Sequence, residues 1–216
     1  MYSSRMPARK DHDLRRRDIS GAVWRVLAEH GFGGLTLRAV AADLNATTGL
    51  LTHYFPDKRT LVRYALDVAE EHTQGREMRT PPPPAPGLPA LRAALLDVLP
   101  LDGTSTAMNR VWVSSWDAAL GDAPLGEEQA ARYVRWRDRL RDHAAAAQER
   151  GELPPGNADD VAASAAAFCH GLVVQALFDP GRFPPDRQIG LLDRFVQGLR
   201  TPNCAALDQD GNPSSP

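Results

Sequence analysis

The chain has 216 residues and a formal net charge of −2; 43% of its residues are hydrophobic and 24% are charged, as in an ordinary protein with a packed core. No segment reaches the roughly 20 uninterrupted apolar residues of a membrane helix, and residues 1–17 lack the apolar centre of a secretory signal, so we expect a cytoplasmic protein without a membrane partner. Its two cysteines are isolated, which excludes a disulfide framework and paired metal ligands, so we predict no metal site and no cofactor.

The periodicity of the hydrophobic residues predicts an all-α fold of about nine helices, because they recur every three to four positions and nowhere alternate. The predicted helices are, in chain order, 11–30, 37–44, 48–55, 58–74, 88–99, 106–120, 127–150, 158–178 and 185–199. Thr36, Thr47 and Asp57 are the expected N-caps of the second, third and fourth helices. The proline-rich segment 80–87 is predicted to be a stiff spacer or loop, and the polar segment 201–216 a disordered tail.

The charges are divided unevenly along the chain. Residues 1–63 hold eleven Arg or Lys against six acidic residues, a net charge of +5, whereas the rest of the chain carries −7. This asymmetry indicates that the N-terminal end faces a polyanion and that the remaining body has another task. The basic segment 5–17 is either a solvated flexible arm or an arm that enters the minor groove of DNA.

The two short helices 37–44 and 48–55, joined by a tight turn within the basic end, are typical of a helix-turn-helix that reads DNA. The second helix must enter the major groove, which is about 12 Å wide, and Gly49 lets its backbone approach the DNA closely. The residues expected to face the groove are Arg38, Thr48, Thr52, His53 and Tyr54, and those expected to bind phosphate are Thr47 and Lys58. By spacing alone, such a helix pair also occurs in many helical proteins that never bind DNA.

The same segment resembles a known family signature. Residues 35–58 read LTLRAVAADLNATTGLLTHYFPDK, which is similar to the pattern TxRxVAxxAGVSxGxLYxHFxxKexL of the TetR family of transcriptional regulators. The chain departs from this pattern at Thr52 and Tyr54, where the family usually has tyrosine and histidine, and at Leu50, where a smaller polar residue is frequent. The resemblance therefore implies the fold but no particular operator sequence.

The resemblance also implies a domain organisation and a mode of action. Residues 1–60 are expected to form the DNA-binding domain with its basic arm, and residues 61–200 a domain that dimerises and binds a small-molecule effector. A regulator of this family is usually a repressor that binds a pseudo-palindromic operator on double-stranded DNA as a homodimer and is released by its effector, which is unidentified here. Two alternatives stay open: a DNA-binding regulator of the same fold without an effector, and a small helical enzyme.

The last two predicted helices carry the expected dimer interface, because two apolar helices pair naturally with their copies in a four-helix bundle. The expected interface residues are Phe168, Leu172, Ala176, Ile189, Leu192, Phe195, Val196 and Leu199. The alternative is that the same residues pack only within their own chain.

An effector pocket is suggested by aromatic and polar residues on two helices. Its expected lining is Met108, Asn109, Trp112, Trp116 and Asp117 on one helix and Phe168, His170 and Gln175 on another. Aromatic rings beside a carboxylate hold a cation, and the C-terminal part resembles the BetI-like branch of the family, which implies a choline-like effector. The alternative is that both tryptophans fill the core and that His170 is a core histidine with its hydrogen bonds satisfied.

The enzyme alternative has little support from sequence motifs. Cys169 and His170 are the only adjacent nucleophile and base, and neighbours on a helix point about 100° apart. The sequence contains no His-Glu-x-x-His motif, no Gly-rich phosphate loop and no Gly-x-Ser-x-Gly motif. No catalytic residue is therefore predicted.

Overall fold

The computed structural model describes residues 7–77 and 84–200, and in these ranges the chain forms nine α-helices and no strand. The helices are α1 (Pro7–Gly34), α2 (Leu37–Asp43), α3 (Thr48–Thr52), α4 (Lys58–Glu77), α5 (Leu88–Leu96), α6 (Gly103–Gly121), α7 (Ala123–Glu149), α8 (Ala158–Phe178) and α9 (Pro185–Gly198). They match the predicted segments to within four residues at each end, so the all-α prediction is confirmed.

Helix α1 is interrupted at Gly31, where φ is 62° and ψ is −170°, so the glycine-rich segment ends the regular helix as predicted. Only glycine enters this region of backbone conformation at little cost. At the break, the Phe32 N–H donates a hydrogen bond to Ser114 Oγ on α6 at 3.2 Å. A Cβ on residue 31 would lie 3.2 Å from the same oxygen, so the close docking of α1 on α6 also favours glycine here.

Two of the three predicted N-caps are formed. Thr36 and Asp57 each accept a backbone N–H from the first turn of the following helix, at 3.0 and 2.7 Å. The prediction is wrong for Thr47, which precedes α3 with an extended backbone but makes no capping hydrogen bond through its side chain. The first turn of α3 is closed instead by the Leu50 N–H, which donates to the Thr47 carbonyl at 3.1 Å.

The helices enclose two hydrophobic cores. The first core joins α1, α2, α3 and α4 with residues from α6 and the start of α7, and the second joins α5, α7, α8 and α9. Helix α4 begins in the first core and continues unbroken to Glu77, so the predicted domain boundary at residue 60 falls inside a helix. The division of the chain into domains at that point stays a prediction.

Helix α8 has an unusually apolar composition. A window of its 21 residues has a mean hydropathy of 1.7, so by length and composition alone this helix is apolar enough to cross a membrane. The helix packs against α5, α6, α7 and α9, and it supplies Ala165, Cys169 and Val173 to the second core. This packing buries 39% of the apolar window, so the apolar composition of α8 serves in part the core of the bundle.

Three predicted segments lie wholly or partly outside the described residues. The tail 201–216 lies entirely outside them, and the spacer 80–87 is described only from Pro84 onwards. The backbone of the basic arm 5–17 belongs to α1 from Pro7 onwards. The predictions about the tail and the spacer therefore stay predictions.

Candidate nucleic-acid interface

The turn between α2 and α3 has a defined geometry. Asn45 takes a positive φ of 51°, and the N–H groups of Asn45 and Ala46 donate to the carbonyls of Ala42 and Ala41 at 3.1 and 2.9 Å. This pair of hydrogen bonds is the Schellman motif, with asparagine in the left-handed position that glycine usually occupies. It satisfies the carbonyls at the end of α2 and turns the chain into α3 within residues 44–47.

Helix α3 is anchored through one face. Leu51 is fully buried and Phe55, just beyond the helix, is 4% exposed, and both lie in the first core as predicted. Arg25 on α1 donates to both carboxylate oxygens of Asp43 at the end of α2, at 2.6 to 3.1 Å, and the same hydrogen bonds raise the pKa of Arg25. Such a bidentate contact fixes orientation, so α2 and α3 form one unit with α1.

The opposite face of α3 is exposed and carries predicted DNA contacts. Six of the seven predicted residues are exposed and Tyr54 is half-buried; the six are Arg38, Thr47, Thr48, Thr52, His53 and Lys58. The Thr52 hydroxyl donates to the Gly49 carbonyl at 2.9 Å, which leaves its oxygen as an acceptor. The Tyr54 ring packs partly on the first core and contacts the His53 ring edge-on at 5.8 Å. This accessibility is what contact with DNA requires, and the predicted contacts themselves stay predictions.

Gly49 has no structural role inside the protein. Its φ lies outside the left-handed region, and the nearest atom to an added Cβ would be Thr47 Oγ1 at 3.9 Å, an ordinary contact. A glycine in a helix is less favourable than alanine by about 1 kcal/mol, and no contact among the described residues accounts for it. The exposed backbone at Gly49 is instead suited to close approach by a molecule outside the chain.

Two cations at this end form no ion pair with any residue in the described ranges. They are Arg38 on the exposed side of α2 and Lys58 at the first position of α4. Arg59 and Arg63, further along α4, are instead paired with acidic residues at the start of α7, at 2.9 and 3.1 Å. Because Asp57 already accepts one N–H of the first turn of α4, a phosphate at this helix would be held mainly by the Lys58 ammonium.

An aromatic cluster lies between α6, α7 and α8, and we call it the His170 cluster. The rings of Trp116, Tyr133 and Trp136 surround His170 at centroid distances of 6.2, 5.0 and 5.0 Å. Burial lowers the pKa of His170, and the positive charge of Arg137 lowers it further, so the neutral imidazole is favoured. Tyr133 and Trp136 were missed in the sequence, although their spacing of three places them on one face of a predicted helix.

Two other predicted effector residues contact α4 instead. The Trp112 indole N–H donates to the Thr73 hydroxyl at 3.2 Å, and Met108 Sδ lies 3.3 Å from the same oxygen. The Arg132 guanidinium lies over the Trp112 ring, 5.5 Å from its centroid, and also pairs with Glu70 on α4 at 2.9 Å. These contacts join α6 and α7 to α4. The sequence analysis did not predict a role for Glu70 or Thr73, the two residues of α4 that take part.

The remaining predicted pocket residues do not form one lining. Asn109 is buried and donates to two backbone carbonyls at 2.8 and 2.9 Å, so its amide is committed to the fold. Phe168 stacks on a ring of α9 at 4.3 Å, and Asp117 and Gln175 are exposed. Phe168 and His170, which are two residues apart and so about 200° apart around α8, contact different rings, and their shared pocket stays a prediction.

The predicted dimer residues are of two kinds. Four are 0 to 6% exposed within the single chain: Leu172, Ala176, Leu192 and Val196. Because fully or nearly enclosed side chains offer almost no surface to a partner, their burial favours the alternative of packing within the chain, and their place in an interface stays a prediction. The other four are half-buried, and their contact with a second copy stays a prediction: Phe168, Ile189, Phe195 and Leu199.

A cleft of about 190 Å³ opens between the start of α6, the end of α8 and the start of α9. Its lining includes Arg110, Phe183 and Gln188, and none of the eight predicted effector residues. The Gln188 side chain is 2% exposed and donates to the Phe183 carbonyl at 2.8 Å. The cleft is therefore separate from the His170 cluster.

Two family models match the two parts of the chain. Residues 19–65 match the model of bacterial regulatory proteins of the tetR family. Residues 88–201, more than half of the chain, match the C-terminal model of the BetI-type transcriptional repressor.

Individual relatives agree with these matches. The chain is 30% identical over 198 residues to the HTH-type transcriptional regulator BetI of Burkholderia ambifaria, which covers 90% of this chain and 98% of the relative. It is 25% identical over 204 residues to the HTH-type transcriptional regulator PksA of Bacillus subtilis, and this alignment covers 90% of this chain and 94% of the relative. A solved transcriptional regulator from Saccharomonospora viridis, in complex with choline, has a TM-score of 0.75 at 21% identity and covers 86% of this chain and 96% of that chain. The chain therefore belongs to the TetR family of DNA-binding transcriptional regulators, and its C-terminal part is of the BetI type.

Proposed function

We propose that the protein represses transcription by binding a pseudo-palindromic operator as a homodimer, and that a small-molecule effector releases it. The observation that carries this proposal is the exposed face of α3. Gly49 lies at the outermost point of this face, on the side of the helix opposite the fully buried Leu51. Such a helix presents slender hydrogen-bonding groups to the major groove. Lys58, at the start of α4, is available to contact a phosphate, and Arg38, exposed on α2, is available to reach the groove.

Two copies are proposed because α3, which we call the recognition helix, has five residues and contacts few base pairs. Two such helices, about 34 Å apart, bind successive major grooves on one side of a duplex and multiply the specificity. The Phe168 and Phe195 rings stack at 4.3 Å on α8 and α9 and keep exposed surface, which supports an interface at this face. Leu199, one helical turn after Phe195, lies on the same side and is also half-buried.

The His170 cluster is the proposed effector site. Its rings offer aromatic faces to a small ligand, and its neutral imidazole adds a hydrogen-bonding group. Arg132 already covers the face of Trp112, so a cationic ligand would be held by the rings of Trp116 and Trp136 instead. A regulator of the same fold binds choline, which makes choline the first probe to use with this chain.

Helix α4 is the proposed link between the effector and the DNA. It begins directly after the recognition helix and carries Glu70 and Thr73, which contact Arg132 and Trp112 of the body. An effector that binds more tightly when α6 and α7 shift would displace α4 and, with it, the recognition helix. Only a difference in affinity between the two arrangements produces such a change.

A regulator without an effector is the second candidate, and it is favoured by the predicted pocket residues Met108, Asn109 and Trp112, whose polar atoms are engaged in contacts within the chain. We propose no catalysis by this chain. Cys169 Sγ is buried against the Leu95 carbonyl at 3.7 Å, and burial raises its pKa to about 12, whereas His170 faces the aromatic rings.

A cytoplasmic location is proposed because the proposed partner is chromosomal DNA.

Selection of genomic fragments with the purified full chain tests the proposed function. We expect a few enriched sites, each with two half-sites in inverted order about one helical turn apart. Equal retention of all fragments would overturn the proposal. Choline added to the protein–DNA complex then tests whether this probe acts as the effector. Release of the DNA supports effector control, and an unchanged complex removes choline as the effector.

A further inference from the structure

Leu50 is an exposed leucine in the middle of the recognition helix. It keeps 40% of its surface exposed, whereas its neighbour Leu51 is fully buried. Leu50 belongs to neither hydrophobic core. The other exposed positions of α3 are glycine and threonine, and histidine follows them, so Leu50 is the one apolar group on an otherwise polar surface.

Helical geometry gives the direction of the Leu50 side chain. Successive residues lie about 100° apart, so with Leu51 in the core, Leu50 and Thr52 lie on opposite flanks of α3 and Gly49 lies between them at the outermost point. His53, three residues further on, shares the flank of Leu50. Because Gly49 has no side chain, both flanks come close to whatever α3 contacts.

We propose that Leu50 recognises thymine by packing on its C5-methyl group in the major groove of each half-site. This inference rests on the proposed operator binding. This methyl is the apolar group that base edges present in the major groove, where the other distinguishing groups are hydrogen-bond donors and acceptors. Leucine has neither donor nor acceptor, so packing it on those groups would leave them without a partner. The operator therefore contains a thymine at a fixed position in each half-site.

A scan of thymine against uracil tests this contact, because deoxyuridine pairs as thymidine does and lacks only the methyl group. In a duplex that the wild-type protein selects, each thymine is replaced singly and the affinity is measured at fixed salt. Uracil at one position of each half-site should weaken wild-type binding about fourfold, which corresponds to the ~0.8 kcal/mol of burying one such group. Leu50→Ala should bind thymine and uracil equally at that position.

Further variants separate the contact from a general loss of structure. Leu50→Met keeps an apolar side chain of similar reach and should keep the preference for thymine. Leu120→Ala removes a leucine that is 89% exposed on α6 and should also keep it. If Leu50→Ala does not fold, as judged by its melting temperature, Leu50→Gln takes its place, because it has a similar length and a polar end.

The outcomes distinguish this contact from the proposed function. If the wild-type protein selects no duplex, the proposed function fails and the thymine contact fails with it. If it selects a duplex in which no thymine methyl matters, the contact is overturned and DNA binding stands. The same holds if Leu50→Ala or Leu50→Gln prefers thymine as strongly as the wild type does.

Discussion

Arg132 on α7 and Glu70 on α4 form an ion pair at 2.9 Å, in which only 12% of the Arg132 side chain is exposed. Arg135 adds a second contact to the same carboxylate at 3.1 Å. Arg132 also lies over the Trp112 ring, so one guanidinium joins α4, α6 and α7. The helix that leaves the recognition helix is therefore held by charge to the proposed effector domain.

Glu70→Gln should lower the stability of the protein and remove part of its acid dependence. Burial raises the pKa of Glu70, but the hydrogen bonds and charges of Arg132 and Arg135 outweigh it and hold the pKa below 4.5. A lowered pKa adds stability that is present above pH 4.5 and is lost as the pH falls through the lower folded value. We expect a loss of about 1–3 kcal/mol at pH 7 and a smaller one near pH 3, measured by urea unfolding.

The exposed ion pair of Arg141 and Asp138 provides the matched control for that variant. Both side chains keep 43 to 46% of their surface exposed. Asp138→Asn should change the free energy of unfolding by less than about 0.5 kcal/mol. Equal losses in the two variants would show that the Glu70 ion pair contributes no more than a surface contact.

Because of His170, the free energy of unfolding should decrease as the pH falls below 6.5. Burial, followed by the charge of Arg137, lowers its pKa, so the unfolded chain binds a proton where the folded chain does not. The loss begins at the unfolded value and ends at the lower folded value. His170→Phe should flatten the decrease in unfolding free energy between pH 7.5 and 5.5. An unchanged slope in His170→Phe contradicts this assignment.

Phe195→Glu should produce monomers, because it places a carboxylate on the half-buried face proposed to meet a second copy. Light scattering on dilute samples measures the mass. Leu192→Ala provides the contrast: it leaves a cavity in the chain's own core and should lower the stability by about 2–5 kcal/mol without changing the mass of the folded protein. A folded Phe195→Glu variant that is still dimeric is the result that would rule out this interface.

Lys58→Ala should weaken binding to all duplexes alike and reduce the slope of log affinity against log salt by about 1. The reason is that the exposed Lys58 ammonium, at the first position of α4, neutralises one phosphate. Arg150→Ala removes the same charge at the C-terminal end of α7 and should leave the slope unchanged. A wild-type slope in Lys58→Ala would reject the phosphate contact.

The helices and the recognition unit were predictable because they depend on local chemistry. Thr36 and Asp57 cap their helices through N–H groups within one turn, and Gly31 ends α1 by its own backbone conformation. The helical period placed Leu51 in the core. The cap at Thr47 was predicted wrongly, since threonine before a helix is a preference that a backbone turn can replace.

Contacts between distant segments were not predictable from one sequence. Arg132 and Glu70 are 62 residues apart, and nothing local to either residue signals the other. Tyr133 reaches His170 only because α7 packs on α8. An apolar stripe has the same pattern whether it meets its own chain or a second copy, and for this reason the sequence did not indicate that Leu192 is fully buried within its own chain.

A competition experiment tests the central claim, that α3 binds a specific sequence in the major groove, most directly. The selected duplex is labelled and bound by the full chain in dilute buffer, and unlabelled selected or random duplex is then added. We predict that the selected duplex displaces the label at a concentration at least about a thousandfold lower than random duplex. Displacement by both at the same concentration would contradict the claim.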